Sequence, residues 1–330
     1  MKIIKRLHAG VHHEFDVLCF SLHGKRSLMR KCIPILFLLI ANPSFAQEDF
    51  SWWTIIHNWD GHTPWNEYMT MSTSFMGPNS LPVPEVTKGS VDSLTELELS
   101  GSYNFSRGDK TKDFYTRGFL PLYNNRVAVM IDVITYEWFE TDTITRDVRA
   151  ARTRSGKGGA GGDIYFTTQF QVLRDRENWP DLAFRGTFRL ASGTNLRNAR
   201  YTDGPGYYFD LSGGKNISIH RVICRFYAMA GFYAYQTYDL QHLQNDCFLF
   251  GAGCELAFPG WTIAQSFSGY DGYLNIGDKP LVYRMEIRKK RKSFDWKASY
   301  QWGINDYDFQ RVRLGLVFHT GIIQKWLDKK

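Results

Sequence analysis

From about residue 92 onward, apolar and polar residues alternate along the chain in run after run. Between Phe294 and Trp302, for example, aromatic residues and an alanine occupy every second position, and polar residues such as Lys297 fill the positions between them. A period of two places successive side chains on opposite faces of a β-strand. No stretch of comparable length has the 3.6-residue period of a helix, so the pattern predicts an all-β structure for this part of the chain.

Twelve such runs predict twelve strands. Most of them have roughly the 9–11 residues that a tilted membrane-spanning strand needs. An even number of strands is the rule for bacterial membrane barrels. The predicted strands are 93–105, 113–121, 126–139, 163–173, 181–191, 206–214, 219–235, 246–257, 261–270, 281–289, 293–304 and 309–319.

The connections between these strands alternate in length. The connections after odd-numbered strands are long, except the last, and are 106–112, 140–162, 192–205, 236–245, 271–280 and 305–308. The connections after even-numbered strands are short, and are 122–125, 174–180, 215–218, 258–260 and 290–292. Outer-membrane barrels have short periplasmic turns and long outer loops. A barrel with both termini in the periplasm predicts this asymmetry, and a soluble β-sandwich does not.

A short apolar run near the N-terminus has the form of a signal peptide. Arg30 and Lys31 precede the run, and small residues before a cleavage point after Ala46 complete the pattern. Residues 1–28 fit no part of a signal peptide, which makes Met29 a candidate start. The alternative is an unusually long leader. In both cases the sequence predicts export across an inner membrane.

Composition and charge narrow the remaining choices. The mean hydropathy of −0.34 and the single short apolar run exclude a bundle of membrane helices. The net charge of +7 is concentrated in the leader, which leaves about +2 for the rest and gives no reason to expect nucleic acid as a partner. Aromatic residues make up 16% of the chain, and they favour strands and membrane interfaces. We therefore predict a transmembrane, antiparallel, up-and-down β-barrel of about twelve strands with a short N-terminal arm, located in the outer membrane of a Gram-negative-type bacterium.

The segment before the barrel, residues 47–91, is rich in Trp, Met and Pro. Pro78, Pro82 and Pro84 exclude a central strand. Two locations fit: a plug or lid that enters the barrel, or an ordered arm across the periplasmic rim, which we favour. The predicted divisions of the chain are a leader with signal peptide over 1–46, a periplasmic arm or plug over 47–91, an outer-membrane barrel over 92–320 and a short C-terminal tail over 321–330.

Short motifs between Gly162 and Lys215 are similar to those of a known barrel family. Gly162-Asp163 opens one predicted strand, Pro180–Ala183 opens the next, and Ala191–Gly193 begins the following loop. These motifs extend over about a sixth of the chain. In them the chain resembles the outer-membrane barrel family linked to the MetA pathway of phenol degradation. The resemblance implies a membrane barrel with a role in moving small organic compounds. It does not identify the cargo.

The polar faces of the predicted strands carry many charges. Fixed charges that line a pore set its selectivity, so these residues predict an anion-attracting constriction. Arginine also pairs well with carboxylates, so the same residues fit a network of ion pairs that fills and blocks a narrow barrel. The sequence leaves both interpretations open. The candidate pore-lining residues are Arg126, Asp132, Arg185, Arg189, Arg221, Arg225, Glu255, Arg284, Glu286, Arg288, Arg311 and Arg313.

The sequence gives little support for catalysis or metal binding. Ser218 and His220 share a strand face, but at the predicted periplasmic end, where a lipid hydrolase working at the outer rim would not use them. His57, Asp60 and His62 match no established metal-site spacing. We therefore expect a protein without enzymatic activity, cofactor or metal.

The expected function is a monomeric channel or transporter for small solutes, organic or anionic in character. The alternatives are an outer-membrane lipid hydrolase and a closed structural or adhesive barrel. The expected partners are outer-membrane lipid, lipopolysaccharide and the barrel-assembly machinery. The assembly machinery is expected to recognise the last strand, Leu314–Phe318, and the basic loop Arg149–Gly162 is expected to touch lipopolysaccharide phosphates.

Overall fold

The computed structural model describes residues 48–174 and 176–319, so the leader, its cleavage point and the tail 321–330 lie outside the described residues. Two short helices are present, α1 (Ser51–His57) and α2 (Thr143–Val148). Within the described part of the chain, no helix is long and apolar enough to cross a membrane. The strands are β1 (Glu96–Ser106), β2 (Asp109–Leu122), β3 (Val127–Thr141), β4 (Lys157–Ala160), β5 (Ile164–Leu173), β6 (Asp181–Leu190), β7 (Gly206–Ile219), β8 (Val222–Gln236), β9 (Gln244–Phe258), β10 (Trp261–Gly272), β11 (Leu281–Lys289), β12 (Phe294–Asn305) and β13 (Gln310–His319).

The strands form one closed antiparallel sheet. Each strand pairs with its neighbours in sequence, and β1 pairs with β13 along its length, from Glu96 opposite His319 to Phe105 opposite Gln310. The short β4 and the following β5 pair with successive parts of β3, so together they occupy one position in the sheet. The prediction of a twelve-stranded antiparallel barrel is therefore confirmed. Closure leaves no unpaired sheet edge.

The polar face of the sheet is its buried face. On β1, Glu98, Ser100 and Asn104 are buried inside the barrel, whereas Leu97 and Tyr103 are exposed on its outside. A soluble protein buries the apolar face of a strand instead. The other strands also expose apolar residues on the outside, including Phe114, Ile131, Trp138, Phe166, Phe188, Phe209, Phe226, Phe248, Phe267, Trp296 and Leu314. The buried face is not polar throughout, because Met229 and Tyr233 of β8, Leu249 of β9 and Tyr270 of β10 form a buried apolar cluster.

Two hairpins are tighter than the sequence predicts. The predicted loop 106–112 is a two-residue turn at Arg107-Gly108, because β2 begins at Asp109. The predicted turn 215–218 belongs to β7, and the chain reverses at His220-Arg221. Gly108 (φ +90°) and His220 (φ +55°) adopt the left-handed backbone conformation that two-residue hairpins need. In both stretches the strand pairing extends through polar residues that the sequence assigns to a loop or turn.

The unequal connections remain after this correction. Four long connections lie at one end of the barrel, which we call the long-loop end: 142–163, 191–205, 237–243 and 273–280. The opposite end, where β1 begins and β13 ends, carries shorter turns, and we call it the short-turn end. The shortest of these turns have two residues, as at His220-Arg221 and between β9 and β10.

A short N-terminal segment precedes the barrel, but it does not pack across the rim where β1 begins. Its first part, residues 50–76, which we call the cap, contacts all four long loops. Trp53 bonds to Ala150 and Ser72 to Ile276, and the apolar cluster of the cap also includes Ala199 and Tyr238. Its second part, residues 77–91, which we call the lumen segment, runs through the barrel to the short-turn end. Residues 77–91 therefore lie inside the barrel, as in the plug alternative, and not across the rim where β1 begins.

Candidate channel interior

The upper part of the lumen segment is held by side chains from opposite sides of the barrel. The Asn79 amide nitrogen donates to Glu137 of β3 at 2.8 Å and to Asp113 of β2 at 3.2 Å. The Asn79 amide oxygen accepts a hydrogen bond from Arg311 of β13 at 2.6 Å. Arg189 of β6 donates to the backbone carbonyl of Ser80 at 2.8 Å. These bonds cross the barrel and fix the segment near the long-loop end.

The lower part of the lumen segment is fixed through its backbone. Arg225 of β8 donates to the Lys88 carbonyl at 2.9 Å, and the Lys88 ammonium pairs with Glu255 of β9. Gln171 of β5 accepts from the Val91 amide at 2.8 Å, and its own amide donates to the Gly89 carbonyl. The segment is thus anchored near both ends of the barrel.

Ion pairs cross-link the inner wall, both between neighbouring strands and between strands separated by one or two others. Arg185 pairs with Asp210 at 2.6 Å, and Arg288 makes two bonds to Glu96 at 3.0 and 3.1 Å. Lys297 reaches Glu98 at 3.1 Å. Buried pairs of this kind restrict the wall to one arrangement of charges, because separating either partner leaves an uncompensated charge. This arrangement matches the ion-pair network that the sequence left open.

Among the described residues, two adjoining cavities lie beside the lumen segment inside the barrel. The larger has a volume of about 110 Å³, and the smaller, of about 90 Å³, lies beside it. The tyrosines that line the larger one are Tyr115, Tyr165, Tyr201, Tyr208 and Tyr307. The residues that line both cavities are Glu85, Arg284, Gln301, Arg311 and Arg313. The interior is therefore filled only in part, and its open spaces are lined by charges and phenol rings.

Ten of the twelve candidate pore-lining residues belong to the inner wall. They are Asp132, Arg185, Arg189, Arg225, Glu255, Arg284, Glu286, Arg288, Arg311 and Arg313, and each lines a cavity or bonds to an inner-wall or lumen-segment residue. Arg126 and Arg221 are exposed in turns at the short-turn end and are not part of this wall. Each precedes its strand by one residue, since β3 begins at Val127 and β8 begins at Val222.

Sequence reasoning missed several interior residues. Arg117 and Lys297 pair with Glu98. Lys297 lies between Trp296 and Ala298, so the period of two contained the signal for it, whereas Arg117 lies between Thr116 and Gly118 and had no such signal. Glu85 and Lys88 of the lumen segment had no such signal, because this segment has no strand periodicity. Their position follows only from the path of residues 77–91 through the barrel.

The cap is an aromatic cluster closed by an arginine. Trp53 is fully buried, and its ring lies 6.1 Å from Trp59 and 5.5 Å from Tyr68. The Arg152 guanidinium lies over the rings of Phe50 (4.0 Å) and Trp59 (5.2 Å), within the range of a cation–π interaction. The N-terminal segment is therefore attached to the long loop between β3 and β5.

Two of the four basic side chains in the loop Arg149–Gly162 bind within the protein. Arg149 pairs with buried Asp109 at 2.5 Å, and Arg152 lies in the aromatic cluster, so neither is free for lipopolysaccharide. The loop also contains α2, where Asp142 accepts a hydrogen bond from the Thr145 amide at 2.7 Å. This bond lowers the pKa of the Asp142 carboxyl below its ordinary value. Of the four basic side chains, Arg154 and Lys157 are exposed.

The residues considered for catalysis and metal binding do not form a site. Ser218 and His220 are exposed at the short-turn end, with His220 in the turn itself. Asp60 accepts hydrogen bonds from the Thr63 hydroxyl and from the backbone amides of His62 and Thr63, which lowers its pKa to about 2. No group of three or more His, Cys, Asp or Glu residues in the described ranges is arranged to hold a metal ion.

Comparisons with known proteins agree on the architecture. Neither a protein family nor a curated protein sequence matches this chain. Among solved structures, the COG4313 outer membrane channel from Pseudomonas putida F1 aligns over 72% of this chain and 100% of its own, with a TM-score of 0.52 and 10% identity. The KdgM porin in complex with disordered oligogalacturonate aligns over 67% and 98% of the two chains (TM-score 0.40, 8% identity). The Acinetobacter baumannii outer membrane protein Omp33 aligns over 70% and 100% (TM-score 0.33, 10% identity). The alignment with the first of these structures shows that the chain has the fold of an outer-membrane β-barrel.

Proposed function

We propose that this protein is a monomeric outer-membrane channel for small solutes, organic or anionic in character, which the lumen segment closes in the conformation described. The observation that carries the proposal is the pair of cavities beside the lumen segment, lined by arginines and tyrosines inside a closed barrel.

The proposed location and orientation of the channel in the membrane follow from its outer surface and its loops. The exposed aromatic and aliphatic residues on the outer face need a lipid environment. By the rule for such barrels, the long-loop end faces outward, towards lipopolysaccharide, and the short-turn end faces the periplasm. The resemblance to the family linked to phenol degradation supports small organic compounds as cargo. Assembly would depend on the barrel-assembly machinery.

The main competitor is a closed structural or adhesive barrel. The ion-pair network and the anchoring of the lumen segment near both ends favour this closed barrel. If the segment never moves, solutes have no path through the barrel. Arg107-Gly108-Asp109 resembles an adhesion tripeptide, but Asp109 is buried and bonded to Arg149 and Arg200. That triplet therefore gives the adhesive alternative no support.

Single-channel recording of the refolded chain 47–330 and of its Arg225→Gln variant tests the proposal. Arg225 holds the Lys88 carbonyl, so its loss weakens the lower anchor by about 1.5–3 kcal/mol, the contribution of a hydrogen bond to a charged group. We expect the open probability to rise by about tenfold or more. The matched control is Lys215→Gln, on the neighbouring strand, whose ammonium bonds to the turn carbonyls of Arg176, Glu177 and Trp179.

Equal open probabilities in the native chain, Arg225→Gln and Lys215→Gln would contradict the proposal. So would the absence of conductance from all three, provided that heat-modifiable gel migration shows each to be folded. The second result would favour the closed structural barrel.

A further inference from the structure

The two interior cavities meet at one carboxylate and three arginines. Glu85, from the lumen segment, lines both cavities, as do Arg284, Arg311 and Arg313 from the barrel wall. Glu85 is exposed to this interior space although it lies within the barrel. At this junction the negative charge of the lumen segment, on Glu85, faces three arginines that belong to the barrel wall.

The three arginines are held in place by neutral groups. Arg284 donates to the Gln301 side chain at 2.8 Å, the Ser268 hydroxyl at 2.5 Å and the Val83 carbonyl at 2.6 Å. None of these acceptors carries a charge, so the arrangement orients the guanidinium without cancelling its charge.

The other two arginines are oriented in the same way. Arg311 donates to the Asn104 and Asn79 side chains. Arg313 donates to the Ser102 hydroxyl at 2.8 Å and lies 4.1 Å from the centre of the Tyr115 ring. Among the described residues, Arg284, Arg311 and Arg313 have no ion-pair partner within 4.0 Å, unlike Arg185, Arg225 and Arg288. The wall carboxylates Asp113, Glu98 and Asp132 act on Arg311 or Arg313 only at longer range, so the junction contains guanidinium groups that no carboxylate of the described residues contacts directly.

Glu85 is the carboxylate that faces this charge from the lumen segment. It makes no direct hydrogen bond or ion pair with any residue that the structure describes, and it interacts at longer range with Lys297, Arg284, Arg117 and Arg313. A carboxylate in an electropositive interior without a direct partner is attracted by the whole cluster, yet no single bond has to break for it to leave.

We propose that this junction binds the carboxylate group of a small organic anion, and that Glu85 is its tethered competitor. The proposal rests on the channel function above and specifies its substrate class. When no solute is present, Glu85 compensates the arginine cluster. A solute carboxylate takes over that role, and the solute ring lies against the tyrosines of the larger cavity. A cavity of about 150 Å³ accommodates benzene, so the 110 Å³ cavity together with the adjoining 90 Å³ has room for a single aromatic ring.

Binding would also change the hold on the lumen segment. Once a solute carboxylate lies among Arg284, Arg311 and Arg313, it offsets part of their charge and weakens the attraction of Glu85 to the wall. The segment then keeps its hydrogen bonds, but its central electrostatic attachment is weaker. Entry of the solute and loosening of the segment are therefore coupled through the same charges.

Calorimetric titration of benzoate into the folded chain 47–330 in detergent micelles tests this inference. The Glu85→Gln variant removes the competing charge and keeps the shape of the side chain. We expect it to bind benzoate about tenfold more tightly than the native chain does. Phenol, which has the ring without the charge, should bind both proteins equally. The control is Glu96→Gln, which removes an inward carboxylate that is already paired with Arg288 and lines neither cavity.

Three results would overturn the inference: equal benzoate affinity in the native chain and Glu85→Gln, an equal gain in Glu96→Gln, or an equal gain for phenol. Absence of benzoate binding to every folded variant would overturn it as well. If Glu85→Gln does not fold, Glu85→Ala serves the same test. Because the titration needs no conducting membrane, its failure is distinguishable from a failure of the channel proposal.

Discussion

Replacing Arg200 by methionine should lower the free energy of unfolding of the barrel by about 3–5 kcal/mol, the usual cost of removing one partner of a buried ion pair. Arg200 lies in the loop between β6 and β7 and is fully buried. Its guanidinium bonds to Asp109 at 2.8 Å, to Glu137 at 2.6 Å and to the Thr111 hydroxyl at 2.7 Å. The variant leaves two buried carboxylates without this shared partner.

Urea titration, with the folded fraction read from heat-modifiable gel migration, measures this effect. Arg154→Met is the matched control, because Arg154 is an exposed arginine in a long loop at the same end, and its loss should change stability by no more than about 0.5 kcal/mol. A loss below about 1 kcal/mol for Arg200→Met would mean that the loop is not held through Asp109 and Glu137.

Truncating Trp53 to alanine should release the cap while leaving the barrel folded. Trp53 is fully buried in the cap cluster and donates from its indole nitrogen to the Ala150 carbonyl at 3.1 Å. Loss of a buried tryptophan costs about 3–5 kcal/mol. Because the cap is separate from the sheet, this cost falls on local opening of residues 50–76. Protease cleavage within the cap should therefore accelerate by about a hundredfold.

Ile55→Ala is the control for this experiment, since Ile55 lies on the same helix, α1, and is 75% exposed. Its cleavage rate should match that of the native chain. Equal cleavage of Trp53→Ala and Ile55→Ala would contradict the role of Trp53 as the anchor of the cap. Loss of heat-modifiable migration in Trp53→Ala would show instead that the cap is needed for barrel folding.

The sequence predicts the barrel well because a closed sheet imposes a period of two on every strand. All twelve predicted strands occur, since lipid on one side and a polar interior on the other select opposite residue types at alternate positions. The turns were harder to predict. The stretch before His220 contains polar residues and looks like a loop, yet the backbone pairing of β7 with β8 continues to Ile219. Pairing is a tertiary effect that local composition does not record.

The interior residues could be predicted from the sequence only where they lie on a strand. Arg284 and Arg311 follow from alternation along β11 and β13, because inward positions are fixed by the neighbours on each side. The partners of these arginines do not follow, since Asn79 and Val83 reach them from a segment without regular structure. Glu85 was missed for the same reason. A segment that threads a barrel is placed by long-range contacts, and its sequence shows only that prolines exclude a central strand.

A reversible cross-link between the lumen segment and the wall tests the central claim, that this segment closes the channel. Thr87 of the lumen segment donates to Asp210 of β7 at 3.1 Å, so cysteines at both positions lie beside each other, and disulfide formation between them is checked on a non-reducing gel before recording. The native Cys224, Cys247 and Cys254, all free, are first replaced by serine or alanine.

Planar-bilayer recording of Thr87→Cys/Asp210→Cys should give no conductance steps when oxidised and clear steps after reduction, while Thr87→Cys alone should conduct in both conditions. If the cross-linked protein, verified by its migration on a non-reducing gel, conducts as well as the reduced one, ions pass without movement of residues 77–91, and the account of a channel closed by its own N-terminal segment is contradicted.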